Sequence, residues 1–121
     1  MAFAHVFADL GGIPGDRLHD AQALGGLLLA AANAAGLSPA GAPTVQTGPR
    51  GVTAVLACHG GHVALHALPA DGLCYADIAS AGAGDPGRGL DVIVKRLGAR
   101  DVRTDARRRG VNPHPLDAER I

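Results

Sequence analysis

The chain has 121 residues, 11 basic and 11 acidic side chains for a formal net charge of +0, and an aromatic content of 2%. That length predicts one domain, with no room for a second independent core. The charge balance argues against a dedicated nucleic-acid binder, and a ring set of only Phe3, Phe7 and Tyr75 argues against base-stacking platforms and aromatic cages.

The core must then be built from Leu, Val, Ile and Ala. Such a core is thin, and burying more surface in an oligomer would help it. No apolar run reaches the roughly 18 residues of a membrane span. Residues 1–9 carry no basic segment and meet Asp9 at once, unlike a signal peptide, so the cytoplasm is the expected compartment. Cys58 and Cys74 are too few for a disulfide framework and are expected as free, buried thiols.

In chain order, His5–Leu10 is an apolar run closed by Gly11-Gly12, which predicts a first strand and a turn. Asp16 or Asp20 can cap a helix over residues 20–35, with Leu24, Leu27, Leu28 and Ala31 on one face and Gly36 as its stop. Gly25-Gly26 weakens that helix by roughly 1 kcal/mol per glycine unless another backbone packs closely there. Residues 38–50 read as a loop or irregular edge. Gly51–Cys58 is strand-like, and His62–Leu68 alternates, with His62, Ala64 and His66 on one face and Val63 and Leu65 on the other. After the Pro69–Gly72 turn, Leu73–Ala79 predicts another strand with Leu73, Tyr75 and Asp77 on one side. Residues 80–89 read as a Gly-rich loop, 90–97 as a helix ended by Gly98, and 99–105 as a last strand. The domain is expected over 1–106 and a loose tail over 107–121, where Arg107-Arg108-Arg109 reads as a solvated cluster. This order predicts an α+β fold, a two-layer α/β sandwich with helices on one face of a mainly antiparallel sheet.

Chemistry-bearing residues concentrate in one place. Cys58, His59, His62 and His66 lie within one short segment. Such ligands suit zinc and similar metals, so His59, His62 and His66 are a candidate divalent-metal set. Along a straight strand, however, His62 and His66 stand about 13 Å apart, so sharing an ion requires a bend at Gly60-Gly61.

The stretch from Pro49-Arg50-Gly51-Val52-Thr53-Ala54, through Gly60-Gly61-His62 to His66-Ala67-Leu68-Pro69-Ala70, then Gly72, Asp77 and Ser80-Ala81-Gly82, resembles the small prokaryotic S-adenosylmethionine decarboxylase family without a gap. His5–Asp9, Asp85-Pro86 and Arg109-Gly110 extend the resemblance along most of the chain. It implies that family's fold, and dimers. Members cut their own chain between a Glu and a Ser, and the Ser becomes a pyruvoyl group that acts as electron sink for decarboxylation. Here those two positions match Gly60 and Gly61, and glycine has no hydroxyl to attack a carbonyl or leave a ketone. Ser38 and Ser80 are the only serines, and Cys58 is the one surrogate nucleophile nearby. The family's proton-donor Cys matches Ala81, its adenine-stacking Phe matches Thr47, and a substrate-holding Glu matches Ala70. Thr53, His62, His66 and Asp77 remain, His66 at the place of the processing His.

The expectation is a divergent member that neither forms a pyruvoyl group nor decarboxylates S-adenosylmethionine. A repurposed enzyme would use His62, His66, Thr53 and Cys58 as catalytic groups and Asp77, Thr47 and Gly61 to hold a small amino-acid-derived ligand. The alternative is a non-catalytic partner or regulatory subunit. In either case a homodimer, or pairing with a homologous subunit, is expected, with no nucleic acid and no membrane.

Overall fold

The computed structural model describes residues 3–82 and 84–111. Its elements follow the order β1 (Phe3–Gly11), α1 (Asp16–His19), α2 (Ala21–Ala35), β2 (Thr44–Gly48), β3 (Gly51–Cys58), β4 (Gly61–Leu68), a 3-10 turn (Pro69–Asp71), β5 (Leu73–Ala81), α3 (Pro86–Leu97) and β6 (Asp101–Arg109). The six strands form one sheet in the order β2-β3-β4-β5-β1-β6, and every neighbouring pair is antiparallel.

The helices lie on one face because only one face of each strand is apolar. Val52, Ala54 and Leu56 of β3, Val63 and Leu65 of β4, and Cys74, Ala76 and Ile78 of β5 are buried, and they alternate with more exposed residues as a period of two requires. Leu24, Leu28 and Ala31 of α2 and Leu90 and Ile93 of α3 close over them. Among the described residues the second face of the sheet carries no helix. Among the described residues no helix is long and apolar enough to cross a membrane.

The local punctuation follows the chemistry of caps. Asp20 accepts a hydrogen bond from the Ala23 amide at 3.1 Å and starts α2, while Gly36 ends it at φ 77°. Asp16 belongs to a separate short helix.

Four boundaries differ from the sequence reading. Residues 44–48 form β2, because their ladder with β3 makes an edge strand of a segment with weak local signals. β5 continues through Ala81, and α3 begins at Pro86, where a proline suits the first helical turn. β6 runs to Arg109 along β1, with Arg107 opposite His5 and Arg109 opposite Phe3. The arginine triplet is therefore part of the sheet, and the expected boundary at 107 falls inside a strand. Of the expected tail, residues 112–121 lie outside the described residues.

Candidate functional site

The open face of the sheet collects the polar groups. His62 of β4 and His5 of β1 both pair in register with Ala79 of β5, one on each side of it. Ala79 is small and buried, so the two rings approach across it, their centroids 6.5 Å apart. Asp77 lies two residues along β5 on the same face, diagonal to both, within reach of long side chains. Its Oδ2 stands 3.1 Å from His5 Nε2 and 3.2 Å from His62 Nε2. A carboxylate only accepts, so each imidazole meets it through an Nε2–H, leaving Nδ1 as the nitrogen not engaged by Asp77. Phe7 covers one flank of His5 at 5.5 Å between ring centroids.

A second pair sits further along the same face. His66 faces Thr53 directly across the β3–β4 ladder, and Thr53 Oγ1 lies 3.0 Å from His66 Nδ1. β4 is an unbroken strand from Gly61 to Leu68, so the two histidine groups remain about 13 Å apart. His59 lies in the turn before β4. No group of three His, Cys, Asp or Glu side chains among the described residues could hold a metal ion. The proposed set of His59, His62 and His66 is thus not brought together, because the bend at Gly60-Gly61 precedes β4 rather than interrupting it.

Cys58 does not join the site. Strand parity places Thr53 on the open face and Cys58 on the helix face, where it is buried. Its Sγ lies 3.8 Å from the Leu56 carbonyl, and burial pushes its thiol above the ordinary value, which disfavours the nucleophilic thiolate. Thr47 is separated from Gly61 as well. It pairs with Val52 near one end of β3, whereas Gly61 pairs with Cys58 at the other, roughly 20 Å away at 3.3 Å per residue. Asp77, expected to hold a ligand, is occupied by the two imidazoles. His5 is the residue the sequence reading missed; its only local signal is its place in the first strand, on the same side as Phe7.

Gly61 decides whether the pyruvoyl group fits. A Cβ there would collide with the backbone oxygen of Ala79 and come within 3.1 Å of that carbonyl carbon and 3.2 Å of Ser80 Cα. The obstacle is backbone, so no rotamer change relieves it. Ser80 is Gly61's partner in register, but its side chain is buried and donates to the Ala81 carbonyl at 3.4 Å. The residues present at Gly60-Gly61 do not fit a pyruvoyl group or its serine precursor.

Both cysteines are free and buried. Burial pushes the Cys74 thiol up to about 12 from an ordinary 9.0. The folded state therefore holds this proton more tightly than the unfolded chain. That contribution is complete below pH 9.0 and is lost as pH rises towards about 12. Thermal unfolding between those limits should show an alkaline loss of stability that is shallower in Cys74→Ala. An identical slope in both proteins would rule out this cause.

Comparison with known proteins places these features. The sequence profile described as S-adenosylmethionine decarboxylase matches residues 4–110. The chain is 33% identical over 107 residues to an S-adenosylmethionine decarboxylase proenzyme of Symbiobacterium thermophilum, spanning 88% of this chain and 81% of the relative. It is 28% identical over 110 residues to the proenzyme of Aquifex aeolicus, spanning 88% and 80%. The crystal structure of the Aquifex aeolicus adenosylmethionine decarboxylase superposes with a TM-score of 0.81 at 24% identity, covering 93% of each chain. That likeness establishes a shared fold, the α+β sandwich with a single antiparallel sheet.

Proposed function

This chain belongs to the S-adenosylmethionine decarboxylase family, and from that premise we propose that it is a member without a pyruvoyl group, turned to acid–base chemistry on a small amino-acid-derived metabolite. We place it in the cytoplasm, as a homodimer or paired with a homologous subunit. The observation that carries the reading is the pair of imidazoles sharing Asp77 immediately beside Gly61. The position that would supply an electron sink has no side chain, and the residue after it is an oriented base.

His62 is the catalytic group of this reading. Its ring is fixed through Nε2–H by Asp77, and Nδ1 is free to take a proton from carbon or nitrogen of a bound molecule. The imidazolium that forms is stabilised by the Asp77 carboxylate at 3.2 Å. His5 holds Asp77 from the other side and limits its rotation. The Thr53–His66 pair supplies a second polar contact along the same face.

Two measurements test this. The intact mass of the purified protein should be that of one uncut chain; two fragments summing to it, cut near Gly60-Gly61, would end the reading. Incubation in D2O with a panel of L-amino acids and their N-alkyl and keto derivatives should then show α-deuteration of at least one compound. His62→Gln should slow that exchange by about 10²–10⁴-fold. Equal rates in the two proteins would remove His62 from the chemistry.

The partner-subunit reading has its own support. Tyr75 and Val55 are 44% and 41% exposed on the helix-free face, an uncommon exposure for a ring and a β-branched side chain that a homologous sheet would cover. Activity appearing only in a mixture with an intact family member would favour it.

A further inference from the structure

β6 ends the sheet, and its outer edge pairs with no strand among the described residues. It is nine residues long, against five for β2 at the opposite edge. Every residue of β6 except Arg108 is exposed. A long open edge is a template for another strand, and charge on the edge decides which strands are refused.

The charges of β6 alternate in sign along one face. Val102 lies opposite buried Leu10 of β1, so Val102, Thr104 and Ala106 share the helix face. Asp101, Arg103, Asp105 and Arg107 occupy the open face. Asp101 and Arg103 have no hydrogen-bond or ion-pair partner among the described residues. Asp105 and Arg107 approach each other at 3.5 Å, both well exposed.

The backbone shows which residues address the edge. The Ala106 amide donates to the Asp105 carboxylate at 2.8 Å and so points away from β1. Alternate residues of a strand turn their N–H and C=O groups to the same side. Val102, Thr104 and Ala106 therefore present theirs outward. A second β6 can add antiparallel, these residues meeting one another about a two-fold axis.

Charge then selects one register. Centred on Thr104, the pairing sets Asp101 against the partner's Arg107 and Arg103 against the partner's Asp105, each twice by symmetry. Val102 meets the partner's Ala106 on the helix face. The charged pairs fall at non-hydrogen-bonded positions, where side chains are closest, at about 4.5 Å between Cα atoms. A shift of the axis to Arg103 sets Arg103 against itself and Asp101 against the partner's Asp105. A shift to Asp105 sets Asp105 against itself and Arg103 against the partner's Arg107. The strand is thus its own complement in one alignment and repels itself in the neighbouring two.

We propose that β6 pairs with β6 of a second copy of this chain, antiparallel and centred on Thr104, joining two sheets edge to edge. This contact goes beyond the proposed function. None of its residues belongs to the His62 cluster, and it leaves the helix-free face open to a different partner.

The first test is the full chain carrying Thr104→Cys, oxidised mildly and resolved without reductant. Facing residues on the axis stand about 5.5 Å apart between Cα atoms, within disulfide reach. Thr104→Cys should form a covalent dimer. Val102→Cys should not, since its two copies stand about 13 Å apart along the strands. Cys58 and Cys74 are buried and should give no background.

Sedimentation equilibrium supplies the second test, in a Val55→Glu background that charges the helix-free face and isolates the edge. Dimers should form with a dissociation constant on the order of 100 μM and weaken at about 1 M salt. Asp105→Arg should weaken them at least about tenfold, because it sets Arg against Arg at two places. The exchange Arg103→Asp/Asp105→Arg should restore association to within about threefold, a rescue that a merely damaged strand would not show. These positions are exposed, and far-UV circular dichroism verifies folding of each variant. A monomer up to about 1 mM, equal cross-linking of the two cysteine variants, association unmoved by Asp105→Arg, or no rescue by the exchange would overturn the proposal.

Discussion

Gly61→Ser is expected to lower stability by about 3 kcal/mol, a fall of roughly 10 °C in Tm, and to leave the chain uncut. The serine is the residue that family processing needs, so simple loss of a hydroxyl would predict restored cleavage. The geometry predicts otherwise. A Cβ at this position runs into the backbone oxygen of Ala79, at the end of the β4–β5 ladder where Gly61 faces Ser80. Relief requires β4 to separate from β5, which disturbs the strands that place His62 and Asp77. Gly61→Ala should cost nearly as much, because the collision begins at Cβ and not at Oγ. Calorimetry and intact-mass measurements on both variants decide the matter. Two fragments from Gly61→Ser at wild-type stability would mean that the strand readily admits the side chain and that a single substitution separates this chain from a self-processing one.

The second prediction contrasts two helical glycines. Gly89→Ala in α3 should destabilise by about 2 kcal/mol, although alanine is the better helix former by about 1 kcal/mol. A Cβ there would meet the Ala31 carbonyl oxygen at 2.7 Å, Ile78 Cδ1 at 2.7 Å and Ala35 Cβ at 3.1 Å. Gly89 is the point where α3 crosses α2 backbone to backbone, and a methyl group pries the two helices apart above Ile78. Gly26→Ala in α2 should instead stabilise by about 0.5–1 kcal/mol, since nothing lies within 4 Å of its Cβ position. Denaturant midpoints of the two variants should move in opposite directions. Movement in the same direction would show that helix propensity, not the close approach, governs Gly89.

These glycines mark where sequence reasoning stopped. The 18 glycines of a composition-biased chain look alike on the page. Gly36 announces its role locally, as a stop after a run of helix formers. Gly61 and Gly89 do not, because what presses on them comes from strands or helices distant in the chain. Cys58 is a different case, and its exclusion was legible. Thr53 and Cys58 are five residues apart in one strand, and an odd separation puts them on opposite faces. Closeness of Cys58 to the histidines in sequence therefore does not make it their neighbour on the open face.

By itself the sequence determined the sandwich, the helix over residues 21–35, the alternation of β4 and the family, because each rests on local periodicity or on a colinear pattern of residues. Only the tertiary structure decided that β2 is a strand, that the arginine triplet belongs to the sheet and that His5 joins His62 on Asp77. His5 and Asp77 are 72 residues apart, and their meeting depends on β1 entering between β5 and β6. Strand neighbours are chosen by burial of the whole apolar face, a sum over the fold that no short window of sequence contains.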